Sequence, residues 1–413
     1  MTNQNKQRDL IQKNALRLSR KHRFLCLEWS TGAGKTKAAL DIAEDILKSN
    51  PNAVGYLVCK ERPHKKDWVS DISKHNKKSV EKNLKTILYA SLKNQNKPAD
   101  FIILDECHAL TPKRIQYMRQ ILQQGTRIIF LSATIPDEKK DLMNNLCKKV
   151  HYNKISLNKS FEMGLLPTPS LVIHSLHLHD NIVDKEWEFV AKKAKGKDLK
   201  YVKCTHDEMY ETLKTLPKGV GLICTGSESE HYNALTKQMA YYEELSHKQG
   251  VPYEVRQGCR FKYLNIASNR KKFIAEVKTA KVKRLVEGFR LDNNRFICFT
   301  GSIKQANEIG SASAIHSKNT NEYNQDLIDC FNNLECDELF AVKMLREGVN
   351  LTNIEKGIIT QLDSGIGSFY QMLGRCLRHE FPEMHLILLQ GTQDVKYFNR
   401  SMKDFNEDYI TWR

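Results

Sequence analysis

The sequence lacks the features that mark membrane, secreted and zinc-binding proteins. No apolar run approaches the about 18 residues that a membrane-spanning helix needs. The first ten residues, MTNQNKQRDL, are polar and contain no apolar core of a secretory signal. Eleven cysteines are present, but none belongs to the CxxC pair of common zinc sites. We therefore expect a cytoplasmic protein with free thiols in a reducing compartment, without a membrane partner or a structural metal.

The composition limits the number of domains and the kind of partner. At about 100 to 200 residues per domain, a chain of 413 residues predicts two or three domains. An apolar content of 40% is too high for a disordered chain. The 65 Lys and Arg residues exceed the 48 Asp and Glu residues by 17, which favours polyanionic partners such as nucleic acid.

The first 155 residues alternate short apolar runs with amphipathic stretches of helical spacing. The apolar runs cover residues 24–27, 54–59, 86–89, 101–104 and 127–131. The helical stretches include residues 38–47 and 114–124. Such alternation is typical of a parallel sheet with helices on both faces. We predict an α/β lobe over residues 1–160.

A second series with the same rhythm begins near residue 275. Its apolar runs cover residues 296–299, 314–316, 338–342, 357–360 and 384–389. Two prolines within residues 165–169 suit a crossing between lobes, and residues 171–178 predict one more strand. The charged stretch that precedes the series has helical periodicity. We predict a second α/β lobe over residues 161–413, with a helical insertion at about 180–275.

A glycine-containing segment, residues 30–36 (STGAGKT), lies between the first apolar run and a helical pattern. Strand, loop and helix in this order form the context of a phosphate-binding loop, in which backbone N–H groups and the helix N-terminus face the phosphates. Lys35 is predicted to reach the β- and γ-phosphates of ATP, and Thr36 to hold Mg²⁺. Trp29 occupies the first glycine position of the full motif. The residues predicted to line the loop are Thr31, Gly32, Ala33, Gly34, Lys35 and Thr36.

Two acidic residues, Asp105 and Glu106, follow directly after the apolar run 101–104. The carboxyl end of a strand in an open parallel sheet faces the crevice where ligands bind. Alone, such a pair is typical of a solvated turn, but together with the phosphate loop it predicts a site that hydrolyses ATP. Asp105 is then expected to share Mg²⁺ with Thr36, and Glu106 to orient and polarise the attacking water.

Four further segments complete a series that extends from residue 30 to residue 378. In chain order the six segments are residues 30–36, 105–108, 132–134, 298–302, 345–351 and 371–378. The series resembles motifs I to VI of superfamily 2 helicases, with motif II in its DECH form. Within motif V, Glu347 beside Gly348 is similar to the form found in the branch that contains type III restriction motors and phage recombination helicases. The order of the segments is more specific than any one of them.

The resemblance implies two RecA-like lobes with ATP in the cleft between them. Arg375 and Arg378 would act as arginine fingers that reach the ATP only when the lobes close. Gln371 and Gly374 share their helix face, and Gly374 would allow close approach. A solvated basic helix end is the alternative. The resemblance also assigns nucleotide contacts to Gln12, which could equally belong to a polar helix face, to Gly348 and to Asn350, where the family often has Asp.

The resemblance further assigns residues to coupling and to nucleic acid. His108, Ser132 and Thr134 would connect the ATP site with the nucleic-acid side of the first lobe. For His108 the alternative is a hydrogen-bonded histidine without an energetic role. Contacts with the phosphate backbone, each of which could equally be a solvated surface group, are expected at Lys60, Arg62, Ser302 and Lys304.

The predicted function is an ATP-dependent nucleic-acid helicase or translocase that uses ATP and Mg²⁺, with DNA favoured over RNA as its partner. An RNA helicase is the alternative among enzymes. A nucleotide-gated clamp or assembly subunit, which binds nucleic acid without unwinding it, is the alternative from another class. The resemblance to phage helicases is compatible with a phage-encoded protein that acts in the cytoplasm of the host cell.

Overall fold

Two parallel β-sheets, each covered by helices on both faces, organise the chain into two lobes. The structure is a computed structural model that describes residues 3–60, 62–179, 187–191, 200–204, 211, 214–215, 227–342, 351–363, 366–377, 379–403 and 405–413. All neighbouring strands within the two sheets are parallel. The predicted fold class, two parallel-sheet α/β lobes in tandem, is confirmed.

The first lobe has a six-stranded sheet in the order β3-β2-β4-β5-β1-β6. Its strands are β1 (Phe24–Trp29), β2 (Gly55–Cys59), β3 (Leu84–Leu88), β4 (Ala99–Leu104), β5 (Leu122–Ser132) and β6 (His151–Ile155). Its helices are α1 (Asn3–Lys21), α2 (Lys35–Ser49), α3 (Arg62–Lys74), α4 (Lys78–Asn83), α5 (Pro112–Ile121), α6 (Asp137–Leu146) and α7 (Leu157–Glu162).

The central strands of the first lobe carry continuous apolar runs because both faces of the sheet are covered there. Every residue of β2 is buried, as are five of the six residues of β1. One core cluster lies between the sheet and helices α1 to α4, where Ile11, Ala39 and Trp68 pack. The other cluster lies between the sheet and helices α5 and α6, where Met118 and Met143 pack. The continuous apolar runs of the sequence therefore reflect two-sided burial.

The second lobe has a seven-stranded sheet in the order β11-β12-β10-β13-β14-β7-β15. Its strands are β7 (Ser170–Leu176), β10 (Phe296–Phe299), β11 (Ala314–Ile315), β12 (Glu338–Ala341), β13 (Lys356–Ile359), β14 (Glu383–Leu389) and β15 (Ile410–Trp412). Its helices are α8 (Glu228–His247), α9 (Tyr253–Leu291), α10 (Ile303–Gly310), α11 (Asn321–Asn332), α12 (Ile366–Cys376) and α13 (Gln393–Met402).

The insertion between β7 and β10 differs from the purely helical segment that the sequence predicts. The insertion contains the helices α8 and α9, which pack along each other, but α9 continues past residue 275 and ends at Leu291. At 1.5 Å per residue its 39 residues span about 58 Å. The segment also contains an antiparallel strand pair, β8 (Trp187–Ala191) with β9 (Lys200–Cys204).

Besides β8 and β9, two more strands were missed in the sequence, and both lie at the edge of a sheet. β6 is an edge strand in which only Ile155 is buried, so its residues His, Tyr, Asn and Lys give no apolar run. β15 is an edge strand of three residues. The predicted lobe bounds of 1–160 and 161–413 stay a prediction. Within the described ranges, no helix is both long enough and apolar enough to cross a membrane.

Candidate nucleotide-binding site

Three neighbouring strands of the first sheet bring the first three motifs to one edge. The order β4-β5-β1 and the parallel registers Leu27↔Leu131 and Leu104↔Phe130 align the carboxyl ends of these strands. The glycine-containing loop follows β1, the two acidic residues follow β4, and Ser132 ends β5. In an open parallel sheet this edge is where ligands bind, so the three segments lie around one candidate site.

The loop between β1 and α2 turns at two glycines with positive φ angles. Gly32 and Gly34 adopt φ angles of +85° and +96°, which side chains rarely allow. Helix α2 begins at Lys35, directly after Gly34, so its N-terminal N–H groups adjoin the loop. Trp29, which replaces the first glycine of the full motif, is buried and donates its indole N–H to Oδ1 of Asn153 (2.7 Å). The departure from the motif is therefore accommodated by the core of the lobe.

The ammonium group of Lys35 is folded onto the carbonyls that precede the loop. Its Nζ donates to the backbone oxygens of Trp29 (2.7 Å) and Ser30 (3.2 Å). Burial lowers the pKa of Lys35, whereas the carboxylates of Glu106 and Asp105 act in the opposite direction. A half-buried cation whose hydrogen-bond acceptors are two neutral carbonyls would gain from an anionic partner such as a phosphate.

Asp105 is held by two N–H donors. The indole Nε1 of Trp68 donates to its Oδ2 (2.8 Å), and the backbone N–H of Glu106 donates to its Oδ1 (3.0 Å). Burial and the neighbouring charge of Glu106 raise the pKa of Asp105, while the Trp68 hydrogen bond acts against this rise. A carboxylate oxygen has more than one lone pair, so both oxygens retain acceptor capacity for a cation.

Sequence reasoning missed Trp68, a buried residue of α3 whose contact with Asp105 spans 37 positions of the chain. His64, on the same helix, is also buried. The only signal in the sequence was a tryptophan in a mostly polar helix. Such a residue reads as a core residue, and its indole N–H needs a partner when buried.

Glu106 has a strained backbone and a histidine partner. Its φ of +49° lies in the left-handed region, which costs a residue with a side chain of order 1 kcal/mol. Its Oε2 lies 3.1 Å from Nδ1 of His108. Burial acts to raise the pKa of Glu106, but the hydrogen bond and charge of His108, together with Lys35, outweigh burial and lower it. The carboxylate is therefore ionised at neutral pH.

A hydrogen-bond chain joins His108 to the end of β5. The hydroxyl of Ser132 donates to the backbone oxygen of Thr134 (2.9 Å), so its oxygen accepts from Nδ1–H of His108 (3.0 Å). The same Nδ1 faces Glu106. The structure thus brings together His108 and Ser132, which the resemblance grouped, while Thr134 takes part through its backbone.

Gln12 and Thr36 flank the loop. The side-chain amide of Gln12 donates to the backbone oxygen of Gly34 (3.4 Å), and its Oε1 accepts from Nζ of Lys37 (2.8 Å). An added Cβ at Gly34 would lie 2.6 Å from Nε2 of Gln12. Thr36 lies in the first turn of α2, half-buried. Gln12 is therefore packed against the loop, and its contact with adenine stays a prediction.

One helix of the second lobe meets the phosphate loop. An added Cβ at Gly374 would lie 2.8 Å from both Cβ and Cγ2 of Thr31. This contact brings α12 against the loop, with Arg375 next in sequence and 8% exposed, and with Gln371 one turn earlier, half-buried. The remaining predicted residues of this half of the site, Gly348, Asn350 and Arg378, lie outside the described residues.

The four residues predicted to contact nucleic acid differ in their exposure and in their partners. Ser302 is the N-cap of α10, where its hydroxyl accepts from the backbone N–H of Gln305 (3.1 Å). Lys304 is exposed and pairs with Glu276 (3.2 Å). Lys60 follows β2, half-buried, at the same edge of the first sheet as the loop, and the side chain of Arg62 lies outside the described residues. Contact with nucleic acid stays a prediction for all four.

A buried ion pair beneath α9 was also missed. Lys278 donates to the backbone oxygens of Thr360 (2.6 Å) and Ile387 (2.8 Å) and pairs with the carboxylate of Asp394. Both charged side chains are fully buried. Thr360 directly follows β13, on the segment that leads to α12. The pair therefore fixes the long helix of the insertion to the strand end from which the second half of the site departs.

The chemistry of these residues fits ATP with Mg²⁺. Mg²⁺ is usually held by one or two carboxylates, hydroxyls and substrate phosphates, and it does not need an all-protein cage. Asp105 and Thr36 could supply such ligands, and the loop with Lys35 could cradle the phosphates. Within the described ranges, no group of three or more His, Cys, Asp and Glu side chains is arranged to hold a metal ion.

Part of the second lobe resembles a known domain family. Residues 277–380 match the helicase conserved C-terminal domain. This segment runs from within α9 past the end of α12 and contains strands β10 to β13. No curated protein matches the chain.

Solved structures match nearly the whole chain at low sequence identity. Dbp5 of S. cerevisiae bound to RNA and ADP–BeF3 covers 98% of this chain and 89% of its own, with a TM-score of 0.56 and 12% identity. The helicase domain of Pyrococcus furiosus Hef covers 95% of this chain and 97% of its own, with a TM-score of 0.50 and 14% identity. The fold of the chain is that of tandem RecA-like helicase domains.

Proposed function

We propose that this protein is an ATP-dependent nucleic-acid helicase or translocase of superfamily 2. The observation that carries the proposal is the contact between Gly374 of α12 and Thr31 of the phosphate loop. It brings an arginine-bearing helix of one lobe to a phosphate-binding loop of the other. A motor of this class needs such a shared site, because closure of its lobes must depend on the nucleotide.

The first lobe would bind ATP and prepare the attacking water. The loop N–H groups and Lys35 would hold the β- and γ-phosphates, with Lys35 exchanging its carbonyl partners for phosphate oxygens. Mg²⁺, held by Thr36 and Asp105, would neutralise the charge of the phosphates. Glu106 is ionised at neutral pH and, kept in place by His108, would orient and polarise the water.

The second lobe would complete the site when the lobes close. Arg375 and Arg378 would stabilise the negative charge of the transition state, where arginine fingers act most strongly. Gln371 would lie on the same helix face, and Gly348 and Asn350 would approach the nucleotide from motif V. Hydrolysis and product release would then separate the lobes again.

Nucleic acid would bind along both lobes through its phosphates. Lys60 and Arg62 of the first lobe, and Ser302 and Lys304 of the second, are the proposed contacts. The contact of Glu106 with His108, together with the hydrogen bond from His108 to Ser132, gives a route by which binding on the first lobe could reach the attacking water. Two lobes that each grip the backbone can move along a strand when the distance between them changes.

DNA remains the favoured partner, on the resemblance to restriction motors and phage helicases. Dbp5, whose fold is similar, was solved bound to RNA, so an RNA helicase is the alternative within the proposal. A nucleotide-gated clamp would share the fold and the ATP site but would not displace a strand.

The test is a comparison of ATP turnover with single-stranded, duplex and branched DNA and with RNA, with strand displacement measured in parallel. The proposal predicts that nucleic acid stimulates turnover and that displacement or movement requires hydrolysis. Glu106→Gln is the control, because it should bind ATP and nucleic acid without turnover. Binding and ATP turnover without displacement or movement would support the clamp, and a preparation that hydrolyses no ATP with any nucleic acid would contradict the proposal.

A further inference from the structure

Helix α1 carries a row of exposed cations on its outer face. Within Asn3–Lys21 there are six Lys and Arg residues and a single acid, Asp9. Five of the six cations are exposed. At about 100° per residue these five fall within an arc of about 100°, so they form one stripe along the helix. The stripe consists of Lys6, Lys13, Arg17, Arg20 and Lys21.

Most of this charge is not neutralised by neighbouring carboxylates. Arg20 forms an ion pair with Asp45 (2.6 Å). Within the part of the chain that the structure describes, Lys6, Lys13, Arg17 and Lys21 make no ion pair, and Arg17 donates only to the amide oxygen of Asn14 (3.0 Å). These four positions extend over about 22 Å of helix, at 1.5 Å per residue.

The opposite face fixes the helix to the lobe. Ile11 and Ala15 are buried in the core cluster of that side. The side chain of Gln4 donates to the backbone oxygen of Leu165 (2.9 Å), while Gln12 contacts the phosphate loop. Near the other end, the guanidinium of Arg127 donates to the backbone oxygen of Ser19. The stripe therefore runs from the loop region toward the opposite edge of the sheet, on the outside of the first lobe.

The chemistry of the stripe fits an extended polyanion and not a protein or a lipid surface. Helix α1 contains no aromatic residue, and Leu10 is its one large apolar residue that is mostly exposed (61%). A protein interface of ordinary affinity needs aromatic or aliphatic anchors near its centre. A membrane-surface helix needs an exposed apolar face, and here that face is used by the core. Regularly spaced cations without anchors are the pattern of phosphate-backbone binding.

We propose that the outer face of α1 is a second binding surface for nucleic acid, separate from the track across the two lobes. It would hold the phosphate backbone of a segment that leaves the cleft, by charge and without reading sequence. This inference rests on the proposed function for its class of partner. It adds a surface that none of the six motifs contains.

The inference has a measurable consequence because each neutralised phosphate releases a counterion. Four backbone contacts would contribute about 4 × 0.9 to the slope of log affinity against log salt on duplex DNA. Removing them should reduce the slope by about 3 to 4. When salt is raised from 50 to 200 mM, a slope that is smaller by 3 means that the affinity falls about 60-fold less.

The experiment compares two variants of equal charge. In the first, Lys6, Lys13, Arg17 and Lys21 are all replaced by Gln, which keeps helix propensity. In the matched control, four exposed lysines at the β3 side of the same lobe are replaced by Gln. The control positions are Lys78, Lys82, Lys93 and Lys97. Binding to a long duplex and to a short single strand is titrated with salt for both variants and the natural protein.

On the long duplex, we expect the slope of log affinity against log salt to be smaller by about 3 to 4 in the α1 variant. In the control variant it should be smaller by about 1 or less. Exchanging Lys6, Lys13 and Lys21 for Arg and Arg17 for Lys should preserve the slope, which separates charge from folding. Equal slopes for the α1 and control variants would overturn the inference. So would an unchanged slope accompanied by loss of binding to anionic vesicles, which would assign the stripe to a membrane.

The failure of this inference can be distinguished from failure of the proposed function. If the natural protein binds the short single strand and its ATP turnover is stimulated, the function stands whatever the α1 variant does. If the α1 variant then keeps the full salt slope, only the second binding surface is contradicted. If the natural protein neither binds nor responds to any nucleic acid, the proposed function fails first.

Discussion

The two halves of the candidate site are held in different ways. In the first lobe the site residues are held by contacts within that lobe: Trp68 donates a hydrogen bond to Asp105 and His108 donates one to Ser132, while Glu106 lies 3.1 Å from the ring of His108. In the second lobe the contribution is one helix, α12, that touches the loop at Gly374. The first half is therefore held by contacts within its own lobe, whereas the second half meets the loop through a contact between the lobes.

The difference in charge supports the same division. The first half places Lys35 and two carboxylates together in a partly buried site, where desolvation moves the pKa of Lys35 down and that of Asp105 up. Such a site gains when phosphates and a cation enter it. The second half contributes Arg375, whose charge, in the proposed mechanism, would stabilise the transition state.

Substitutions in the first half of the site should lower ATP turnover the most. Lys35→Ala and Glu106→Gln should each lower ATP turnover by about 10³-fold or more, because each removes a group that acts on the reacting phosphate or water. The two should differ in binding. Lys35→Ala should lose ATP affinity, whereas Glu106→Gln should retain ATP. Turnover by Glu106→Gln near the natural rate with nucleic acid present would refute the assignment of the base.

The contact between the halves should be sensitive to one methyl group. Gly374→Ala would place a Cβ 2.8 Å from two atoms of Thr31. Overpacking of about 1 to 3 kcal/mol should lower nucleic-acid-stimulated turnover by about tenfold or more and leave ATP binding to the first lobe intact. Gly258→Ala is the matched control, because an added Cβ there meets nothing within 4 Å. Equal turnover in both variants would mean that α12 does not approach the loop during the reaction.

Trp68 tests whether the first half is held by its own hydrogen bonds. Trp68→Phe keeps an aromatic ring but removes the donor to Asp105. Since a hydrogen bond to a charged group contributes about 1.5 kcal/mol, kcat/KM for ATP should fall by about tenfold. The midpoint of thermal unfolding, measured alongside, reports on packing. A fall in the midpoint with kcat/KM unchanged would make Trp68 a core residue only.

The smallest effects are expected at single backbone contacts. Lys60→Glu and Lys304→Glu should each lower the salt slope of nucleic-acid binding by about one phosphate contact. Between 50 and 200 mM salt this is about threefold. If about six phosphates are neutralised in all, the natural protein should lose about 10³-fold in affinity over that range. A flat salt response, or a strong preference for one sequence, would contradict backbone binding by both lobes.

The sequence predicts the fold where burial is strong. Strands such as β2 and β4 are covered on both faces, and their continuous apolar runs were recognisable. The edge strands β6 and β15 have few buried residues, so no periodicity marks them. The pair β8 and β9 lies in a stretch that was assigned to helices from its periodicity further along. Helix α9 extends beyond its predicted end because one helix serves both the insertion and the core of the lobe.

The candidate site was predictable where one segment of chain carries the chemistry. The loop at residues 30–36 and the acids that follow β4 are local patterns, and the structure brings them to one edge. Contacts across the chain were not predictable. Trp68 lies 37 positions from Asp105, and Lys278 lies 116 positions from Asp394, so no local spacing reports on either pair. Both were visible only as residue types that need a partner when buried.

The central claim is that the first lobe binds the nucleotide and the second supplies charge for the transition state. The most direct test measures ATP affinity and nucleic-acid-stimulated turnover on the same preparations of Arg375→Ala and Arg378→Ala. The account predicts a fall in turnover of about 10³-fold with ATP affinity changed by no more than about threefold. A variant that lost ATP affinity and kept its turnover would contradict the account, because the arginine would then act on the bound nucleotide and not on the reaction.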